Sequence, residues 1–133
     1  MNVWRILFPV FAVVLAGSAG AATPQRSEPL VALRAIERGQ WQLKETGGAV
    51  RKLCVTKPRA LLQIRHEGVQ CQHFVMENSG RAATVRYICA GHGNGRTTLT
   101  VETGKLLRIE TQGVADGAPF AEEYEARLLG SCG

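Results

Sequence analysis

Cys54, Cys71, Cys89 and Cys132 are the residues best able to do chemistry in this chain of 133 residues. Thiols can ligate a metal, act as nucleophiles or join as disulfides. Zinc sites use thiolates in close pairs such as Cys-x-x-Cys. The spacings here are 17, 18 and 43, and Cys71-x-His73 alone is a weak pattern, so no metal site and no cofactor is expected. An oxidising compartment disfavours a free catalytic thiol, and an even cysteine count in a small exported chain points to two disulfides. Three pairings are open. Cys54–Cys71 with Cys89–Cys132 is the expected one, because each would tie neighbouring structural units.

Other constellations carry less. Glu122, Glu123 and Glu125 suggest a hydrolase pair, but glycoside chemistry needs two carboxylates converging across a cleft. Adjacent strand residues point to opposite faces, so a charged surface is the better reading. Gly91-x-Gly93-x-Gly95 resembles a phosphate loop, yet a Thr-rich strand follows where a helix N-terminus would be needed, so a hairpin turn with solvent-facing His92 is expected. No serine sits in a Gly-x-Ser-x-Gly elbow. An enzyme would need a site assembled from distant residues, for example His66 or His73 with Glu67. No catalytic residue is assigned.

Arg51, Lys52, Lys57, Arg59 and Arg65 form a basic cluster, while acidic residues gather between Glu110 and Glu125. With a net charge of +5, that split could steer an anionic partner such as a lipid head group. Nucleic acid is not expected, since no aromatic residues interleave with the cations. Trp41 reads as a core anchor.

The elements that must position these residues begin after an address. Met1 to Arg5 carries one positive charge, Ile6 to Ala16 is an apolar run of 11 residues, and Ala19-Gly20-Ala21 offers a small-x-small cleavage site. That is the layout of a secretory signal, expected at 1–21. The run is about half as long as a membrane-spanning helix, and Ser18 stands where a lipoprotein box needs cysteine. A soluble periplasmic or secreted chain is therefore expected. Removing 21 of 133 residues leaves 112, enough for one domain, and the loss of Arg5 lowers the charge to +4. Hydrophobic residues make up 45% of the sequence, too many for a disordered chain.

Residues 22–29 read as a flexible lead and 30–133 as the domain. Ser27 can cap a helix through Leu30, Leu33 and Ile36 that stops at Gly39. Trp41 to Lys44 alternates as a strand, Gly47-Gly48 turns it, and Val50 to Val55 returns. Thr56 is a natural N-cap for a short helix over Ala60–Ile64, ending before Gly68. From Cys71 the period becomes two, and alternation recurs through Ala83–Cys89, Thr98–Thr103 and Leu107–Thr111, divided by turn residues. Ala121 to Leu129 is rich in helix formers, yet its place after the turn Ala115–Pro119 favours a last strand. The expected fold class is mainly β (α+β): an antiparallel meander or curled sheet with one or two short helices and two disulfides.

Gly39-Gln40-Trp41-Gln42-Leu43, the step Cys54-Val55-Thr56 into a helix, and the closing Leu129-Gly130-Ser131-Cys132 resemble the domain of unknown function 3617 family of small exported bacterial proteins. The likeness runs over about residues 30 to 133 and lies in the order of short motifs. It implies sequential disulfides and a final strand, and supplies no catalytic or ligand-binding residues. Tyr87-Ile88-Cys89 before a Gly-rich hairpin is similar to small periplasmic lysozyme inhibitors, but their Ser-Gly-x-x-Tyr loop has no counterpart. The function expected is a non-catalytic binding or structural module of the cell envelope, its partner an anionic component or another envelope protein. The alternatives are an inhibitor of an envelope-directed hydrolase, and the enzyme already described. Protein purified from the periplasm should have the mass of a chain beginning near Ala22 and take up alkylating reagent only after reduction. Alkylation without reduction would show free thiols and refute the disulfide reading.

Overall fold

The computed structural model describes residues 28–133 as a continuous stretch. The expected signal and Ser27 lie outside it. Among the described residues, seven strands form one antiparallel sheet: β1 (Gly39–Glu45), β2 (Val50–Val55), β3 (Gln72–Asn78), β4 (Ala82–Cys89), β5 (Gly93–Thr103), β6 (Leu106–Ala115) and β7 (Ala118–Gly130). Their spatial order is β2-β1-β7-β6-β5-β4-β3. The mainly β class is thus as the sequence indicates.

β3 to β7 is a simple meander, with each strand returning beside the last. β7 then pairs with β1, Trp41 lying opposite Leu128 and Leu43 opposite Ala126. This leaves β2 and β3 on opposite edges, so the chain between them must cross the whole sheet. It does so as the 3-10 segment Pro58–His66, broken at Gln63 by a non-helical backbone. Gln63 donates from Nε2 to the carbonyls of His66 and Val69 at 2.8 Å each, satisfying backbone groups that the break frees. Lys57, not Thr56, occupies the N-cap, and no side chain caps the segment. Before β1 a second 3-10 turn covers only Ala32–Ala35, with Ile36 already extended. The expected helix from Leu30 to Gly39 is therefore a single turn. Pro29, placed in the expected lead, is tied down: its carbonyl accepts from Asn78 Nδ2 at 3.3 Å, while Val31 N–H donates to Asn78 Oδ1 at 2.8 Å.

The sheet has one apolar face. Leu43, Val85, Leu99, Leu107 and Ile109 on that face are fully buried or nearly so. Leu30, Ala32, Leu33 and Ile36 from the N-terminal side and Leu61, Leu62 and Ile64 from the crossover close over them as one core. Each large side chain buried this way contributes about 1.5–3 kcal/mol. Trp41 is fully buried, and its indole N–H donates to the Glu37 carbonyl at 2.9 Å. The opposite face alternates with the first and is polar, carrying Arg108 near Glu102 and Glu123 at 3.5 and 3.8 Å.

The disulfides are Cys54–Cys132 and Cys71–Cys89, which corrects the sequential pairing expected from the sequence and implied by the family resemblance. Strand order is the cause. Cys54 lies across β1 from Gly130, both opposite Gln40, so Cys132 is its natural neighbour. Gln72 faces Ile88, which brings Cys71 to Cys89. By chain-entropy reasoning the loops of 78 and 18 residues contribute about 4.5 and about 3 kcal/mol. The crossover lies between Cys54 and Cys71 in sequence, so its two ends are held by different disulfides.

Gly93 and Gly95, expected in a turn, belong to β5, and the turn before them is made at Gly91-His92. Gly95 sits opposite Tyr87, and a methyl group there would overlap the Tyr87 ring. Next along the meander, Asp116-Gly117 turns β6 into β7 with both residues at positive φ, 47° and 83°. That is the two-residue hairpin geometry that Asp-Gly favours. Gly95→Ala should lower stability by about 1–3 kcal/mol, as overpacking does, measured by urea unfolding of the oxidised protein. An unchanged midpoint would mean the ring moves aside freely.

Candidate functional site

The basic cluster in the sequence does not survive as a unit. Arg51 points its Nη2 at Glu67 Oε2, 3.2 Å away. Arg65 donates from Nη1 to Glu122 Oε1 at 2.9 Å and lies over the Phe120 ring. Glu122 also accepts from the Tyr124 hydroxyl at 2.6 Å. Burial, then that bond to Glu122, pushes the Tyr124 phenol well above its usual range, so it stays a donor. Lys52 is exposed on the edge strand β2, opposite Gln42. Two of the five cations are thus neutralised and a third stands apart.

Lys57 and Arg59 have a different neighbourhood. They open the crossover on either side of Pro58, facing the turn that precedes β1. Between the two covering segments runs a groove of about 430 Å³. Its apolar lining is Pro29, Leu30, Leu33, Ile36 and Pro58; its charged lining is Arg34, Arg38, Lys57 and Arg59. The leucines and Ile36 point their side chains into the core, so the groove floor is the outside of the hydrophobic core. The four cations are exposed, no carboxylate lines the groove, and none of the four makes an ion pair among the described residues. Arg34 and Arg38 escaped the sequence reading because they lie about twenty residues from Lys57. Their spacing of four beside Leu33 and Ile36 was the available signal.

A concavity of similar size, about 460 Å³, lies against β5, β6 and β7. Arg96 lies there among Glu110, Glu122 and Glu123, so the lining is of mixed sign and acidic on balance, which does not suit an anion. A further concavity of about 410 Å³ beside β4 to β7 also carries one sign of charge, from Arg86 and Arg96. The groove between the covers differs in bringing four cations together.

The histidines do not converge with Glu67. His66 is 3% exposed and its Nε2 donates to the His92 carbonyl at 2.9 Å. That bond fixes the tautomer, so Nδ1 accepts from the Tyr87 hydroxyl at 3.1 Å. Burial raises the Tyr87 phenol above its usual range, with the Thr111 hydroxyl and the Arg65 guanidinium working against it. Thr97 and Thr111, both buried, share a hydrogen bond of 2.8 Å beside it. Glu67, in contrast, bonds outward to Arg51. His66 is a satisfied internal strut and not half of an acid–base pair with its neighbour.

His73 is different. Its Nε2 is buried and has no hydrogen-bond partner among the described residues. Burial and then the Arg59 cation hold its imidazole below the ordinary value, a backbone bond at Cys71 acting the other way. Glu123 and Glu125 face the polar side, near Arg108 and Arg127, as a charged surface should. The His92 imidazole is half-exposed beside Asp116 at 3.3 Å.

The chain matches no family model, no curated protein and no solved structure. The two disulfides fit an oxidising compartment. No helix among the described residues is long and apolar enough to cross a membrane.

His73 gives a prediction with a definite sign. Its folded pKa lies below the unfolded value of 6.5, so the unfolded chain binds protons first as pH falls. Stability is then unaffected by His73 above that value and lost below it. From about pH 7.5 to about pH 5.5 the native protein should lose more stability than His73→Gln, the difference staying under about 1 kcal/mol because the group is only partly buried. Equal losses in urea titrations at the two pH values would show that His73 feels no such environment.

Proposed function

We propose that this chain is an exported, disulfide-bonded binding module of the cell envelope, periplasmic or secreted, that holds an anionic envelope component without catalysis. The observation carrying this reading is the groove in which Arg34, Arg38, Lys57 and Arg59 surround an apolar floor with no carboxylate among them. Four unpaired cations repel one another and raise the local concentration of anions, so the arrangement costs stability unless a partner of opposite sign is present. Export is supported by the signal layout at 1–21 and by two disulfides, which persist outside the reducing cytoplasm. Membership of the domain of unknown function 3617 family is part of the same proposal, supported by the order of its short motifs.

The test is sedimentation with vesicles of phosphatidylglycerol or of phosphatidylcholine. The protein should follow the anionic vesicles and not the zwitterionic ones, and salt should weaken the association. Each cation near an anionic surface is worth about 1 kcal/mol, so Arg34→Glu with Lys57→Glu should weaken binding more than tenfold. Lys52→Glu, on the β2 edge, should change it less than Lys57→Glu alone, which alters the net charge by the same amount. Equal effects at both places would assign the attraction to net charge and refute a groove-centred site.

A further inference from the structure

We propose that the groove takes one anionic amphiphile, with a hydrocarbon chain lying on Leu30, Leu33, Ile36 and Pro58 and an acidic head held by the surrounding cations. This rests on the anion-binding reading of the same groove and names its ligand class. A polyanion or a flat charged surface is recognised by cations alone and has no use for an apolar floor. Here Leu30, Leu33 and Ile36 are 3%, 8% and 6% exposed, so they offer only their outer edges and the more open apolar lining is Pro29 and Pro58. A chain seated there extends the core into the gap between the two covering segments. The volume of about 430 Å³ lies within the roughly 300–1,000 Å³ typical of small-molecule sites, which are mostly apolar with a few orienting polar groups.

The charges are placed to match. Arg34 and Arg38 come from one side of the gap, Lys57 and Arg59 from the other, so an acidic head meets cations from two separate segments. An uncharged chain would leave those four cations mutually repelling. A small anion without a chain would leave the floor in water. Only a ligand with both parts satisfies both surfaces.

The experiment uses the oxidised protein beginning at Ala22 and four probes: dodecyl phosphate and laurate below their micellar concentrations, dodecanol, and inorganic phosphate. Binding is followed by calorimetry and by two-dimensional amide NMR. The two anionic amphiphiles should bind at one per chain and shift amides within 29–38 and 57–59. Dodecanol and inorganic phosphate should each bind at least tenfold more weakly. Lys57→Ala with Arg59→Ala, both exposed positions, should weaken dodecyl phosphate about tenfold or more without changing dodecanol.

The outcomes separate cleanly. If the protein follows phosphatidylglycerol vesicles but binds neither amphiphile, the ligand class proposed here is wrong and the anion-binding reading stands. If it binds neither vesicles nor amphiphiles, both fall. Inorganic phosphate binding as tightly as dodecyl phosphate would remove the hydrocarbon chain from the proposal. Shifts centred on the exposed apolar residues Phe74, Val75 and Met76 of edge strand β3 would move the site elsewhere and overturn it. Binding that appears only after deletion of residues 22–27 would show that the chain's own lead occupies the groove, and would likewise overturn it.

Discussion

A seven-stranded sheet with one apolar face must be covered by chain that is not in the sheet, and this protein has very little of it. The cover comes from the stretch before β1 and the crossover from β2 to β3. Because β7 inserts beside β1, β2 and β3 end on opposite edges, and the crossover has no route except over the apolar face. Its leucines and Ile64 then fill the space above the sheet centre. Two short covers cannot meet along their whole length, and the gap they leave is the cation-lined groove. Sheet order therefore fixes the crossover, and the crossover fixes the groove.

The strands were legible in the sequence because alternation is local. Ala83, Val85, Tyr87 and Cys89 share the buried face as their spacing indicates, and Val50–Val55 is found with the same bounds. The last strand was legible through its place after the turn Ala115–Pro119 and before the closing Cys132, and through the family resemblance. Its helix-forming residues are overruled by ladders on both sides, to β6 and to β1. The disulfide pairing was not legible, since it depends on which strands are neighbours in space. Nor did the sequence show that β5 starts as early as Gly93, because two glycines within it are demanded by close packing against Val114 and Tyr87.

The candidate site was legible in its chemistry and not in its composition. Cationic residues around the first cysteine pointed to an anionic partner, and Lys57 and Arg59 remain in the groove. Arg51 and Arg65 leave it because Glu67 and Glu122, separated from them by 16 and 57 residues, are brought within salt-bridge distance. A charge cluster along a chain loses members wherever folding supplies carboxylates, and gains others, here Arg34 and Arg38, where two segments meet.

The position of β7 also sets an order of assembly. β3 to β6 can pair as each strand follows the last, and Cys71 can meet Cys89 within that early meander. The β1–β2 hairpin is made first along the chain, yet its only other neighbour in the sheet is β7, residues 118–130, the last strand formed. Until those residues are present, Trp41 and Leu43 have a neighbouring strand on the β2 side alone, and Cys54 has no native partner. A chain with this topology stays open until its last strand is in place. It closes in one late, long-range step, which the Cys54–Cys132 bond then makes hard to reverse.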